Sequence, residues 1–127
     1  MRDRILVIDD NQDAAELLQL LLEYLGYEVQ VAFNGQYGLE LAIAFRPNVI
    51  ISDIGMPIMN GYDVANTVRN HAQLSDVLLI ALSGWSDRDT RQRAVAAGFD
   101  RHLAKPVDLP GLESILSEYF TSLHAAC

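Results

Sequence analysis

The amino-acid sequence predicts an α/β protein: a doubly wound parallel sheet of five strands, ordered 2-1-3-4-5, with helices on both faces. Three observations carry this. A short apolar run, a polar turn and a helix-period segment recur five times along the chain, and such alternation makes parallel sheets covered by helices. The first, third and fourth runs are apolar throughout, as in strands buried on both faces. The second alternates Tyr27, Val29 and Val31 with Glu28 and Gln30, as a half-exposed edge strand does, and with right-handed crossovers this gives the stated order.

Strands are expected near residues 4–9, 27–32, 48–53, 77–82 and 99–104. In the first helix Ala14, Leu17, Leu18, Leu21, Leu22 and Leu25 are assigned to one face, and Gly26 stands where a left-handed cap would end it. The middle helices fall around 36–46 and 62–71. Ser86 followed by Asp89 resembles a capping box opening the fourth helix, which Gly98 closes. In the last helix Leu112, Ile115, Leu116, Tyr119, Phe120 and Leu123 form a stripe to pack on the sheet.

At 127 residues the chain is expected to form one compact domain, residues 1–127 with a core of about 4–123, with no separate output domain expected within it. Hydrophobic residues make up 50% and charged residues 20%, the balance of a globular protein. The runs Ile5–Ile8 and Val77–Leu82 are far short of the roughly 20 residues that span a bilayer. No secretory signal follows Met1, so a cytoplasmic location is the default expectation.

A single cysteine, Cys127, excludes an internal disulfide, and His71, His102 and His124 are too scattered to form a ligand pair. A net charge of −8 argues against a nucleic-acid surface. Of nine basic residues, Arg88, Arg91, Arg93 and Arg101 lie close together, but Asp87, Asp89 and Asp100 interleave them, as on a solvated mixed-charge face.

In sheets of this order a ligand site lies beyond the carboxyl ends of the strands, at the switch point between the first and third. Strand one ends in Asp9-Asp10, strand three in Asp53, strand four in Ser83-Gly84 and strand five in Lys105-Pro106. Three converging carboxylates repel one another unless a cation joins them. An all-oxygen set with few protein ligands suits magnesium, and the spacing lacks the alternating oxygen ligands of a calcium loop. A carboxylate can attack phosphorus while a magnesium ion and an ammonium neutralise the equatorial oxygens. Asp53 is then the nucleophile, Asp9 and Asp10 hold the ion, and Lys105 and the Ser83 hydroxyl contact phosphoryl oxygens. Singly, each residue reads as a cap, turn or surface charge; their shared position at one end of the strands favours the joint reading.

The segments Val7-Ile8-Asp9-Asp10-Asn11, Ile51 to Gly61 (ISDIGMPIMNG), Ala81-Leu82-Ser83-Gly84 and Leu103-Ala104-Lys105-Pro106 together resemble the receiver domain of two-component response regulators, over residues 4 to about 123. The resemblance implies a flavodoxin-like (βα)5 sandwich. It also implies that Asp53 accepts a phosphoryl group from a histidine kinase or a histidine phosphotransfer protein. Magnesium would be held by Asp10, Asp53 and the Gly55 backbone carbonyl, with Asp9 acting mainly through water. Further implications are a cis bond before Pro106 that aims Lys105 into the site, and a Ser83 hydroxyl that swings toward the phosphoryl group.

His102 stands three residues before the lysine, where an aromatic switch residue is usual, and Gly84 replaces a frequent alanine. Gly55 and Trp85 occupy the positions that tune the lifetime of the aspartyl phosphate. The output face would comprise helix four, strand five and helix five, where Arg88, Arg91 and Arg101 could meet an acidic partner. The competing reading is a magnesium-dependent phosphatase-like α/β enzyme. Neither glycine-rich phosphate loop is present, and the short loops leave no substrate-covering insertion. A pure interaction module with a degenerate site is disfavoured because every site residue is there.

Overall fold

The computed structural model describes residues 3–85 and 87–125. Strands and helices alternate as β1 (Arg4–Ile8), α1 (Gln12–Tyr24), β2 (Glu28–Ala32), α2 (Gly35–Phe45), β3 (Val49–Asp53), α3 (Gly61–Arg69), β4 (Leu78–Ser83), α4 (Arg88–Ala97), β5 (Arg101–Ala104) and α5 (Leu109–Ala125). The strands pair in parallel as β2-β1-β3-β4-β5, the predicted order.

Alternate side chains of each central strand enter opposite cores. Leu6, Ile8, Ile50, Leu79 and Ala81 meet α2, α3 and α4 on one face. Ile5, Val7, Val49, Ile51, Ile80 and Leu82 meet α1 and α5 on the other. Each fully buried Leu, Ile or Val contributes about 1.5–3 kcal/mol of apolar burial. Two covered faces explain why β1, β3 and β4 are apolar over Ile5–Ile8, Val49–Ile51 and Leu78–Leu82.

The core face of α1 differs from expectation. Ala15, Leu18 and Leu22 are buried with Leu25 packed beside them, whereas Ala14 and Leu17 are exposed. The helix carries leucines around much of its circumference, so its apolar period admits two phases, and contact with β2 selects one. On α5, Leu112, Leu116 and Phe120 are buried while Ile115, Tyr119 and Leu123 pack against the same core, as the stripe predicts. Gly26 and Gly98 both have positive φ at helix ends.

The capping box expected at α4 is replaced by Asp87 as N-cap, with no side-chain cap bond; its carboxylate instead accepts from the Thr90 hydroxyl. Ser86 and Cys127 lie outside the described residues. A capping box does form at α3, where Asn60 and Asp63 exchange side-chain and backbone bonds of 3.0 and 3.1 Å.

Ile58, in the loop between β3 and α3, is fully exposed with φ of 68°. The left-handed region costs a non-glycine L-residue about 1–2 kcal/mol. Set against the extra chain entropy of glycine, Ile58→Gly should stabilise the fold by about 1 kcal/mol and raise Tm by about 4 °C. Differential scanning calorimetry checks this; an unchanged or lower Tm would show that the loop carries no such strain.

Candidate functional site

The site forms because register brings four strand ends level. Ile8 stands beside Ser52, Asp53 beside Leu82, and Ser83 beside Ala104. The ladders continue past the strands: Asp9 N–H donates to the Ala32 carbonyl at 3.0 Å, Ile54 N–H to Leu82 at 2.9 Å, and Lys105 N–H to Ser83 at 2.8 Å. The backbone at Asp9, Asp53, Ser83 and Lys105 is therefore fixed.

One carboxylate oxygen from each of Asp9, Asp10 and Asp53 lies within 4.8 Å of the others. Asp9 and Asp53 are buried and Asp10 is exposed. The Lys105 ammonium bridges the two buried acids, 3.1 Å from Asp9 Oδ2 and 3.2 Å from Asp53 Oδ2. Its peptide bond to Pro106 is cis. Asn11 N–H donates to Asp9 Oδ1 at 3.0 Å, and Gly55 N–H to Asp53 Oδ1 at 3.3 Å.

Burial pushes the Asp53 carboxyl above its ordinary pKa; attraction to Lys105 opposes this, repulsion from Asp9 adds to it, and the Lys105 and Gly55 hydrogen bonds lower it. Burial works to lower the Lys105 pKa, but the Asp9 hydrogen bond and the two negative charges outweigh it and raise the pKa. The two directions agree physically: one ammonium faces two carboxylates, so the cation is well compensated and the anions are not. A donor set of hard oxygens with surplus negative charge fits a small divalent cation.

Ser83 is buried at the end of β4, and its Oγ accepts from Trp85 N–H at 3.0 Å. Trp85 is exposed on the loop that follows. His102 is half-buried on β5 with Nε2 enclosed and unpartnered.

Two supporting positions escaped the sequence reading. Gly61 opens α3 directly against the backbone of Asp53: a Cβ there would lie 2.5 Å from the Asp53 carbonyl oxygen, while its N–H donates to Ile54 at 2.8 Å. The Asn60-Gly61 pair was the available signal, but nothing local says what the glycine touches. The second is a cleft of about 270 Å³ beside the site, lined by Asp9, Leu17, Leu21, Lys105, Pro106 and Val107 among others. It adjoins the face of α1 that carries exposed Leu17, Leu20 and Tyr24.

A doubly wound sheet with an acidic triad, a bridging lysine and a buried serine at its carboxyl edge defines a class of regulatory α/β proteins. The family model for the response regulator receiver domain matches residues 5–117, and the chain belongs to that family, the receivers of two-component signal transduction. Such domains are regulatory rather than classical enzymes.

An uncharacterized 14.6 kDa protein of Leptolyngbya boryana is 36% identical over 115 residues, spanning 91% of this chain and 88% of that protein. The transcriptional regulatory protein PrrA of Mycobacterium leprae is 38% identical over 109 residues, 86% of this chain and 46% of that protein. The chain thus spans about half the length of that regulator. Among solved structures, the chemotaxis protein CheY4 of Vibrio cholerae superposes with a TM-score of 0.88 at 29% identity, covering 93% of this chain and 98% of that one. Among the described residues no helix is long and apolar enough to cross a membrane.

Proposed function

We propose that residues 4 to 123 act as one phosphoacceptor switch, in which Asp53 takes a phosphoryl group from a phosphohistidine on a histidine kinase or a histidine phosphotransfer protein. The observation that carries the reading is the Lys105 ammonium held between Asp9 and Asp53 at 3.1 and 3.2 Å. An Asp53 oxygen attacks phosphorus, the phosphorus–nitrogen bond breaks, and its electron pair stays on the departing imidazole. Lys105 then exchanges its bond to Asp53 for the phosphoryl oxygens, and Ser83 donates its hydroxyl to another.

Magnesium held by Asp10, Asp53 and the Gly55 carbonyl, with Asp9 acting through water, would supply further positive charge against the phosphoryl oxygens. The apolar cleft and the exposed leucines of α1 offer the donor a surface next to Asp53. The response would be read at α4, β5 and α5, where Arg88, Arg91 and Arg101 are exposed and suit an acidic protein partner rather than nucleic acid or membrane.

The direct test is transfer from a phosphorylated histidine phosphotransfer protein, with magnesium or with a chelator. Label should move to this chain only with magnesium and not to Asp53→Asn; transfer to Asp53→Asn would remove Asp53 from the role. The lifetime of the product follows from what surrounds it. In-line attack needs a positioned water, yet Gly55 has no side chain and Trp85 offers one N–H donor and no acceptor. The phosphorylated form should therefore decay slowly after donor removal, and faster in Gly55→Asn or Trp85→Glu. A parent that decays at least as fast as both variants would show that these positions do not set the lifetime.

A further inference from the structure

Between Asp53 and α3 the chain makes a short closed loop whose middle is strained. Ile58 is fully exposed with φ of 68°, and Met59 N–H donates to the Pro57 carbonyl, two residues back, at 2.8 Å. A positive φ under such a bond is the rare and strained form of the γ-turn. Pro57 is exposed as well. Two exposed side chains offer little packing to hold the turn in place, so its neighbours must do so.

Those neighbours are two methionines. Met56 is buried, Met59 is partly buried, and both join the apolar core under α2 and α3. Met59 lies flat against the first residue of α2: a Cβ on Gly35 would stand 2.9 Å from Met59 Cγ and 3.1 Å from its Sδ. The contact therefore needs a bare backbone on one side and a slim thioether on the other. One residue further on, Asn60 caps α3, and Gly61 N–H returns to the Ile54 carbonyl at 2.8 Å, which Met56 N–H also reaches at 3.1 Å. Met59 thus packs where the loop closes on the residue after Asp53.

The geometry points to Met59 as an oxidation site through which peroxide loosens the loop that follows Asp53. The sulfur lone pair attacks one oxygen of hydrogen peroxide, the O–O bond breaks, and the departing hydroxide takes the hydroxyl proton left on sulfur and leaves as water. Sulfur is oxidised by two electrons to the sulfoxide and peroxide is reduced. Met56 is buried, so of these two methionines Met59 is the one that solvent reaches. The product is bulkier and polar at the sulfur. The contact with Gly35 leaves no room for another atom, and the apolar side chains of the core offer the new dipole no hydrogen bond. Once Met59 withdraws, Ile58 relaxes and the loop from Ile54 to Asn60 shifts, Gly55 included. The effect on metal binding rests on the reading that Asp53 and the Gly55 carbonyl hold magnesium.

The test treats the full chain, carrying Cys127→Ser to remove the thiol, with dilute hydrogen peroxide and maps the product by peptide mass spectrometry. One oxygen should appear on Met59 before Met56. Amide hydrogen exchange, which needs no metal, should then show the Met59 and Gly61 amides exchanging at least about tenfold faster, because their bonds to Pro57 and Ile54 open more often. Magnesium affinity by calorimetry should fall by about tenfold, the scale on which groups that orient a metal ligand act. Met59→Leu, similar in volume and without sulfur, should keep both values through peroxide treatment. Met59→Gln, polar at similar length, should reproduce the oxidised behaviour without peroxide, and methionine sulfoxide reductase should restore the treated chain. Oxygen on Met56 first, unchanged exchange in a chain oxidised at Met59, or a Met59→Leu chain that still responds to peroxide overturns the proposal. Faster exchange with unchanged magnesium affinity overturns the link to the site. If the untreated chain binds no magnesium, the metal reading fails, and mapping and exchange still decide the role of Met59.

Discussion

Lys105→Ala should destabilise the metal-free protein by about 3 kcal/mol at neutral pH, because it strips the shared cation from two buried carboxylates. Breaking a buried pair costs about 3–5 kcal/mol, and the partial exposure of the lysine places this one at the lower end. The loss depends on pH in a defined direction. Asp53 already has a raised pKa, and removing the ammonium raises it further. A carboxyl raised in the fold destabilises above its unfolded value of about 3.9 and ceases to do so below it. The deficit of the variant should therefore shrink as pH falls toward about 4. Magnesium should restore much of the stability, since it replaces the missing charge. Urea denaturation at several pH values, with and without the metal, measures all of this. Slow phosphorylation should persist in the variant while the change in partner binding is lost. A fully stable variant, or one with wild-type phosphorylation-dependent binding, would contradict the role given to Lys105.

Asp10→Ala should weaken magnesium binding at least tenfold, because even groups that only orient a metal ligand are worth about 10–100-fold in affinity. Asp10 is the exposed member of the triad, so the metal-free fold should change little. Any relief of repulsion toward Asp9 and Asp53 should act to stabilise it. Titration followed by Trp85 fluorescence or by calorimetry gives both quantities. Unchanged magnesium affinity would remove Asp10 from the ligand set. A large loss of metal-free stability would instead give Asp10 a structural role.

Much of the fold and of the site is legible in the sequence. Apolar runs of strand length in β1, β3 and β4, helix-period leucines and glycine caps all arise from local sequence, so element order and topology could be read directly. Asp9, Asp10, Asp53, Ser83 and Lys105 were legible as a group because each ends a strand of one parallel sheet.

What was not legible depends on contacts between distant segments. The sequence does not set the buried phase of α1, because Leu17 and Leu18 are equally apolar and only packing on β2 distinguishes the buried Leu18 from the exposed Leu17. Arg69 donates to the carbonyls of Ser75, Val77 and Gly98 and to the Asp100 carboxylate, tying together loops that nothing in the sequence connects. The approach of Gly61 to the Asp53 carbonyl and the bond from Trp85 N–H to Ser83 Oγ are of the same kind.

The most direct measurement is intact-mass and peptide mass spectrometry of the chain after incubation with acetyl phosphate and magnesium, run beside Asp53→Asn. The wild-type chain should gain the mass of one phosphoryl group, located on the peptide that contains Asp53 and lost when magnesium is chelated, while Asp53→Asn should gain none. A phosphoryl group on any other residue, or an equal gain in Asp53→Asn, would contradict the assignment of Asp53 as the phosphoacceptor.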